Sequence, residues 1–206
     1  VSGTMLTISA LPDWSGGPVN VTVTATDPSA AKATGVIPVS VTAVNDPPAL
    51  KALAPVTFAE DGSATLNLLN QVADPDNTPA QMRWDVSGAD KVKVRVVQGV
   101  ATFSAEPNWH GSETLTIAVT DPGGLSARGT LPVTVTSVND PPVISRLSPV
   151  SFNEDESAAV DLAPFGSDPD GDPLTWSATS ANPNVRVAVS GTMLTISALP
   201  DWSGGP

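Results

Sequence analysis

Carboxylates are the residues here whose type and spacing could do chemistry. Asn45-Asp46-Pro47-Pro48 returns 94 positions later as Asn139-Asp140-Pro141-Pro142. Glu60-Asp61 returns at Glu154-Asp155, Asp74-Pro75-Asp76 at Asp168-Pro169-Asp170, and Asp27-Pro28 at Asp121-Pro122, each with the same offset of 94. Several acids held in one register suit a hard cation. Calcium takes about six to eight oxygen ligands and favours carboxylates, and clustered acids repel one another unless a cation sits among them. Paired carboxylates also serve glycoside hydrolysis, but a catalytic pair should occur once, in a cleft, and these acids recur with the repeat. Nucleophilic catalysis needs a base beside a Ser or Cys; the one histidine, His110, has Ser15 and Ser203 as counterparts and reads as a surface turn residue. An enzyme is not expected.

Bulk composition narrows the partners further. The 206 residues carry 21 Asp+Glu against 9 Lys+Arg, a formal net charge of −12. Such a balance argues against nucleic acid and anionic membranes, which need a basic patch. There is no cysteine, so no disulfide can staple the fold, and a zinc site would lack thiolates. No apolar run approaches the roughly 18 residues of a membrane span.

The elements that must position the acids read as strands. Residues 19–25, 36–44, 115–119, 131–138 and 193–198 alternate apolar and polar side chains and are rich in β-branched Val and Thr, as half-buried strands should be. The 21 Pro and 16 Gly fall mostly between these runs as turn punctuation. Short strands at this spacing predict an all-β fold of tandem immunoglobulin-like β-sandwich repeats, Greek key, with about seven strands each. The paired prolines after Asn-Asp stiffen the link and forbid a helix there. The expected units are the C-terminal half of one repeat at 1–46, a complete repeat at 47–140, and the N-terminal part of the next at 141–206. Residues 1–18 are identical to 189–206, an offset of 188. Either a higher-order unit of two repeats runs through a longer array, or the chain was cut at those points.

The motifs together resemble the bacterial cadherin-like repeats of large surface proteins and, more distantly, animal cadherins. Val-Asn-Asp-Pro-Pro, at 44–48 and 138–142, is similar to the cadherin linker Asp-x-Asn-Asp-Asn-x-Pro. Glu60 and Glu154 stand where cadherins place a strand A glutamate, and Asp74-Pro75-Asp76 and Asp168-Pro169-Asp170-Gly171-Asp172 where they place Asp-x-Asp-x-Gly. Asp13 and Asp201 precede Trp near the Leu-Asp-Arg-Glu position, and Asp27 and Asp121 match the aspartate of Ala-x-Asp-x-Gly. The resemblance implies Ca2+ at each domain junction, holding two repeats as a strut. The first junction would draw on Asp13, Asn45, Asp46, Asp74, Asp76 and Asp121. The second would draw on Glu60, Asn108, Asn139, Asp140, Asp168 and Asp170. Asp27 would serve a junction beyond the N-terminal end, and Glu154 and Asp201 one beyond the C-terminal end. Departures from the pattern, among them Pro47 and Pro141 in place of a third linker residue, point to one or two ions per junction rather than three.

Plainer readings stay open. Asp-Pro and Asn-Asp pairs are ordinary turn formers, and Glu60 and Glu154 could be solvated strand ends. Trp84 and Trp176 read as core residues, and Trp14, Trp109 and Trp202 as pins on a following turn glycine, though exposed Trp could also stack on sugar. The expected function is therefore a calcium-stiffened stalk or fibre of an extracellular bacterial adhesin or surface filament. The alternative is a carbohydrate- or cell-binding (homophilic) module. The expected partners are neighbouring repeats, with head-to-tail strand complementation between copies, and a polysaccharide or cell-surface ligand.

Overall fold

A computed structural model describes residues 3–204. An N-terminal hairpin comes first: β1 (Gly16–Thr26) pairs antiparallel with β2 (Lys32–Val41). The next segment holds β3 (Ala49–Leu50), β4 (Val56–Ala59), β5 (Ala64–Asn67), β6 (Val72–Ala73), β7 (Arg83–Ser87), β8 (Val92–Val97), β9 (Val100–Ala105), β10 (Gly111–Thr120) and β11 (Ser126–Thr136). The last segment holds β12 (Val143–Ile144), β13 (Ser157–Asp161), β14 (Gly166–Ser167), β15 (Val185–Ser190) and β16 (Met193–Ala198). Beyond strands, the described residues hold only short 3-10 turns at 68–71, 79–81 and 163–165.

The middle segment is a two-layer sandwich. One sheet has the order β4-β11-β10-β7, with β4 parallel to β11 and the other pairs antiparallel. The other layer is β5-β9-β8, extended by the β3–β6 pair. The 68–71 turn ties these two pieces, because Leu68 N donates to Gly99 O and Lys51 N donates to Gln71 O. The first strand thus divides between the sheets as β3 and β4, and the second is interrupted between β5 and β6, which gives seven strands in Greek-key order. The core sits between the layers. Leu115 and Ile117 of β10 and Leu131 and Val133 of β11 face Phe103 and Ala101 of β9 and Leu68, all with no exposed surface. Each such fully buried aliphatic or aromatic side chain contributes roughly 1.5–3 kcal/mol by leaving water. The alternation read from 115–119 is the burial alternation of β10, where Leu115, Ile117 and Val119 point inward.

The flanking segments are partial sandwiches. In the β1–β2 hairpin, the counterpart of β10–β11, Val19, Val23, Val36 and Ile37 are exposed. The last segment forms β13-β16-β15 and β12-β14, but the counterparts of β4 and β7, near residues 150–153 and 177–181, form no strand. In the complete sandwich those two strands pair with β11 and β10, which have no counterpart in this segment. Backbone that lacks a hydrogen-bonding neighbour on its edge does not set into a ladder.

Strand ends differ from the sequence reading at the links. β2 stops at Val41 and β11 at Thr136, short of Val44 and Val138. The Val138 N–H is given to a side chain, Glu60 Oε1, at 2.7 Å instead of to a neighbouring strand.

Candidate functional site

At each link the backbone of Asn-Asp-Pro-Pro is tied down by carboxylates from the repeat that follows it. Asp46 N donates to Asp76 Oδ2 at 2.8 Å, and Asp140 N donates to Asp170 Oδ2 at 2.7 Å. Those loops are themselves folded by their first aspartate. Asp74 Oδ1 accepts from the N–H groups of Asp76 and Asn77 at 2.9 and 2.8 Å. Asp168 Oδ1 accepts from Asp170 N at 2.9 Å. The turn-forming reading of Asp-x-Asp therefore holds for one oxygen of Asp74 and Asp168, and it leaves the others for different partners. Asp74 Oδ2 is buried with no hydrogen-bond partner.

The first junction adds a contact between Asn45 and the turn joining β10 to β11. Asp121, buried at 5% exposure, takes the Leu125 N–H on Oδ1 at 2.9 Å and the Asn45 amide on Oδ2 at 2.8 Å. Burial pushes its pKa up, but the hydrogen bonds from Asn45, Leu125, Gly124 and Gly123 outweigh burial and hold it below the usual aspartate value. Gly123 makes room for the contact: a Cβ there would lie 2.5 Å from Asn45 Cγ. Asp13 joins the group across a cleft of about 290 Å³ that it lines together with Trp14, Asp46 and Asp76. Burial, and then the charges of Asp13, Asp76 and Asp74, raise the Asp46 carboxyl above its usual value. Asp13, Asn45, Asp46, Asp74, Asp76 and Asp121 are thus brought together.

The second junction repeats this arrangement and supplies the glutamate. Glu60 is not a solvated strand end: it is 4% exposed, its Oε1 accepts from Val138 N, and its Oε2 is buried without a partner. Asp140 Oδ2 is likewise buried and unpartnered. Burial, and then Asp61, Asp170, Glu60 and Asp168, raise the Asp140 carboxyl. Asn139 turns its amide onto Asp140 O at 3.1 Å, as Asn45 does onto Asp46 O at 3.4 Å. Asn108 enters indirectly; its side chain is exposed and its backbone N–H donates to Asp61 Oδ1 at 3.3 Å.

Two residues belong here that the site reading left out. Asp61 faces Asp140, and the 94-residue register that also carries Asp155 was its signal, since Asp155 Oδ1 accepts from Asp201 N as Asp61 does from Asn108 N. His110 places Nδ1 3.7 Å from Glu60 Oε1, and the repeat could not announce it because no other copy carries it. The remaining candidates stand apart. Asp27 closes its own exposed turn through Ala31 N at 2.9 Å, and Glu154 is exposed beside Trp202 in a separate cleft.

The Trp residues hold the neighbouring turns. A Cβ at Gly111 would lie 2.9 Å from the Trp109 ring, and one at Gly204 2.7 Å from the Trp202 ring, so each indole covers a glycine two residues on. Trp84 packs against both core clusters.

A complete sandwich flanked by partial ones, with acids from both sides gathered at each proline-stiffened link, defines a tandem immunoglobulin-like repeat protein. The bacterial Ig domain model matches residues 45–134 and 139–205, and the chain belongs to that family, in two tandem copies. Among solved structures it is similar to the human desmocollin-1 ectodomain, at 18% identity over 84% of this chain and 35% of that one, with a TM-score of 0.40. It is similar to protocadherin gamma C5 extracellular domains 1–3, at 16% identity over 91% of this chain and 68% of that one, with a TM-score of 0.44. An endo-fucoidan hydrolase of glycoside hydrolase family 107 matches at 18% identity over 94% of this chain and 34% of that one, with a TM-score of 0.37. The chain therefore spans about a third of the length of the first and the last of these. No curated protein matches it. Among the described residues no helix is long and apolar enough to cross a membrane.

Proposed function

We propose that this chain is a non-catalytic stalk segment of a bacterial extracellular adhesin or surface filament, stiffened by Ca2+ at its two acidic junctions. Its repeats divide at 1–46, 47–140 and 141–206. One observation carries the reading. Both junctions hold buried carboxylate oxygens with no hydrogen-bond partner, Asp74 Oδ2 at the first and Glu60 Oε2 and Asp140 Oδ2 at the second. An uncompensated buried carboxylate oxygen is costly, and a divalent cation removes that cost while satisfying its own need for several oxygens. Asp46, Asp74, Asp76 and Asp121, with Asp13, would hold the ion at the first junction; Glu60, Asp140, Asp168 and Asp170, with Asp61, would hold it at the second. Asn45, Asn139 and Asn108 position the loops. Calcium would supply charge neutralisation and a rigid crosslink between successive sandwiches.

The mechanism is mechanical. Without the ion the acids repel and each Pro-Pro link becomes a hinge; with it the angle between sandwiches is fixed. Melting with Ca2+ and with EDTA tests this: calcium should raise the melting temperature and protect the links from protease. An unchanged melt and an unchanged digestion pattern would sink the calcium reading. In the assembled fibre the exposed face of the β1–β2 hairpin is covered by early strands of a sandwich, as β10–β11 is covered here, and a neighbouring copy could supply them head to tail.

A further inference from the structure

We propose that the second junction, unlike the first, binds a nitrogen-accepting divalent cation of the zinc class through His110, Glu60 and Asp170. This rests on reading the junctions as cation sites, and adds that when calcium is absent the second one takes a further class of ion through the same Glu60 and Asp170. One ligand atom from each of the three residues lies within 4.8 Å of the other two. The Nδ1 of His110 is 3.7 Å from Glu60 Oε1. An ion with bonds of about 2.0–2.2 Å spaces its ligands roughly 3.3–3.6 Å apart in tetrahedral geometry, so the His110–Glu60 pair is close to that spacing and Asp170 lies within reach of a modest side-chain adjustment.

Glu60 supplies the independent reason for a cation. Its side chain is 1% exposed, Oε1 already takes the Val138 N–H, and Oε2 is buried with no partner. A cation held by the Glu60 carboxylate would compensate the charge that no protein donor meets at that oxygen. The choice of ion follows from ligand type. Calcium is bound by oxygen alone, whereas imidazole nitrogen with carboxylates suits zinc and its neighbours. The counterparts of His110 are Ser15 and Ser203, so the nitrogen ligand is confined to one junction. A lone histidine in the sequence is no metal signal by itself; its placement beside a desolvated glutamate is.

The test uses the protein without a polyhistidine tag, so that His110 is the one imidazole in the sample. In calcium-free buffer, Zn2+ should shift its imidazole NMR signals, and calorimetry should show Zn2+ binding at least ~10-fold tighter to the native chain than to H110S, a difference of about 1.4 kcal/mol. Ca2+, which takes oxygen ligands, should bind both forms alike. Serine stands at this position in the other copies, so the variant should fold; if it does not, a larger imidazole shift with Zn2+ than with Ca2+ on the native chain decides, and equal shifts would overturn the proposal. Unmoved signals, or equal Zn2+ affinity in both forms, would overturn the proposal. If calcium still raised the melting temperature in that case, the calcium reading would survive. Zinc discrimination without any calcium response would instead overturn the calcium reading alone.

Discussion

At the scale of single residues, the junction acids give one oxygen to the fold, and some keep the other without a protein partner. Asp74, Asp121 and Glu60 each spend one oxygen on backbone N–H groups, and Asp74 and Glu60 keep the other buried and unpaired. Asp140 has the same kind of orphaned oxygen, and its pKa is raised by burial and then by four neighbouring acids. The sign for stability follows. A carboxyl whose pKa is higher folded than unfolded holds its proton more tightly in the folded state, so its contribution to stability falls as pH rises through the raised value. In calcium-free buffer D140N should therefore be more stable than the native chain near neutrality. The gap should close as the pH drops below the ordinary value of 3.8, and the variant should lose much of its calcium response. A pH series of thermal melts with EDTA checks this, and a variant less stable than the native chain at neutral pH would contradict it. Much of this site was legible through the cadherin resemblance, which implied a junction of Asp13, Asn45, Asp46, Asp74, Asp76 and Asp121; the repeat register alone shows that the motifs recur, not which of them meet. The division of oxygens was not, because which lone pair meets an N–H depends on loop geometry that spacing does not encode.

At the scale of elements, period-2 patterning located the long strands and their inward faces, and β16 runs over the residues whose alternation announced it, 193–198. It did not mark where strands end beside the links: the apolar phase of Leu131, Val133 and Val135 lapses at Ser137, and the N–H of the out-of-phase Val138 is claimed by Glu60. Nor could it show that the counterparts of β4 and β7 stay unpaired in the last segment, since pairing is a property of the partner rather than of the strand. Glu113 is a further element-level device that patterning did not mark. From β10 it accepts the N–H groups of Asp90, Lys91 and Val92 at 3.1, 2.7 and 3.2 Å, pinning the start of β8. Burial alone would raise its pKa, but those three backbone hydrogen bonds and Lys91 lower it. E113A should cost about 1–3 kcal/mol, read as a drop in urea midpoint with unchanged m-value. A lowered pKa gives stabilisation that is complete above the ordinary value of 4.5 and is lost as pH falls through the lowered one. The difference between native and variant should therefore shrink on acidification; a constant difference would mean that shape rather than charge is at work.

At the scale of the whole molecule, the proposed function puts the working unit at the junction between sandwiches. A sandwich with a dry core of Phe103, Leu115, Ile117 and Leu131 is already rigid, so flexibility is left to the Asn-Asp-Pro-Pro links. The net charge of −12 opposes close approach of successive repeats wherever the junction acids are uncompensated. Small-angle X-ray scattering in ~1 mM Ca2+, the range of extracellular calcium modules, against EDTA is the most direct measure of whether the ion sets the link. The account predicts a narrower, longer distance distribution with calcium and a broader, more compact one without it. Superimposable curves, at calcium concentrations that saturate any binding seen by calorimetry, would contradict it.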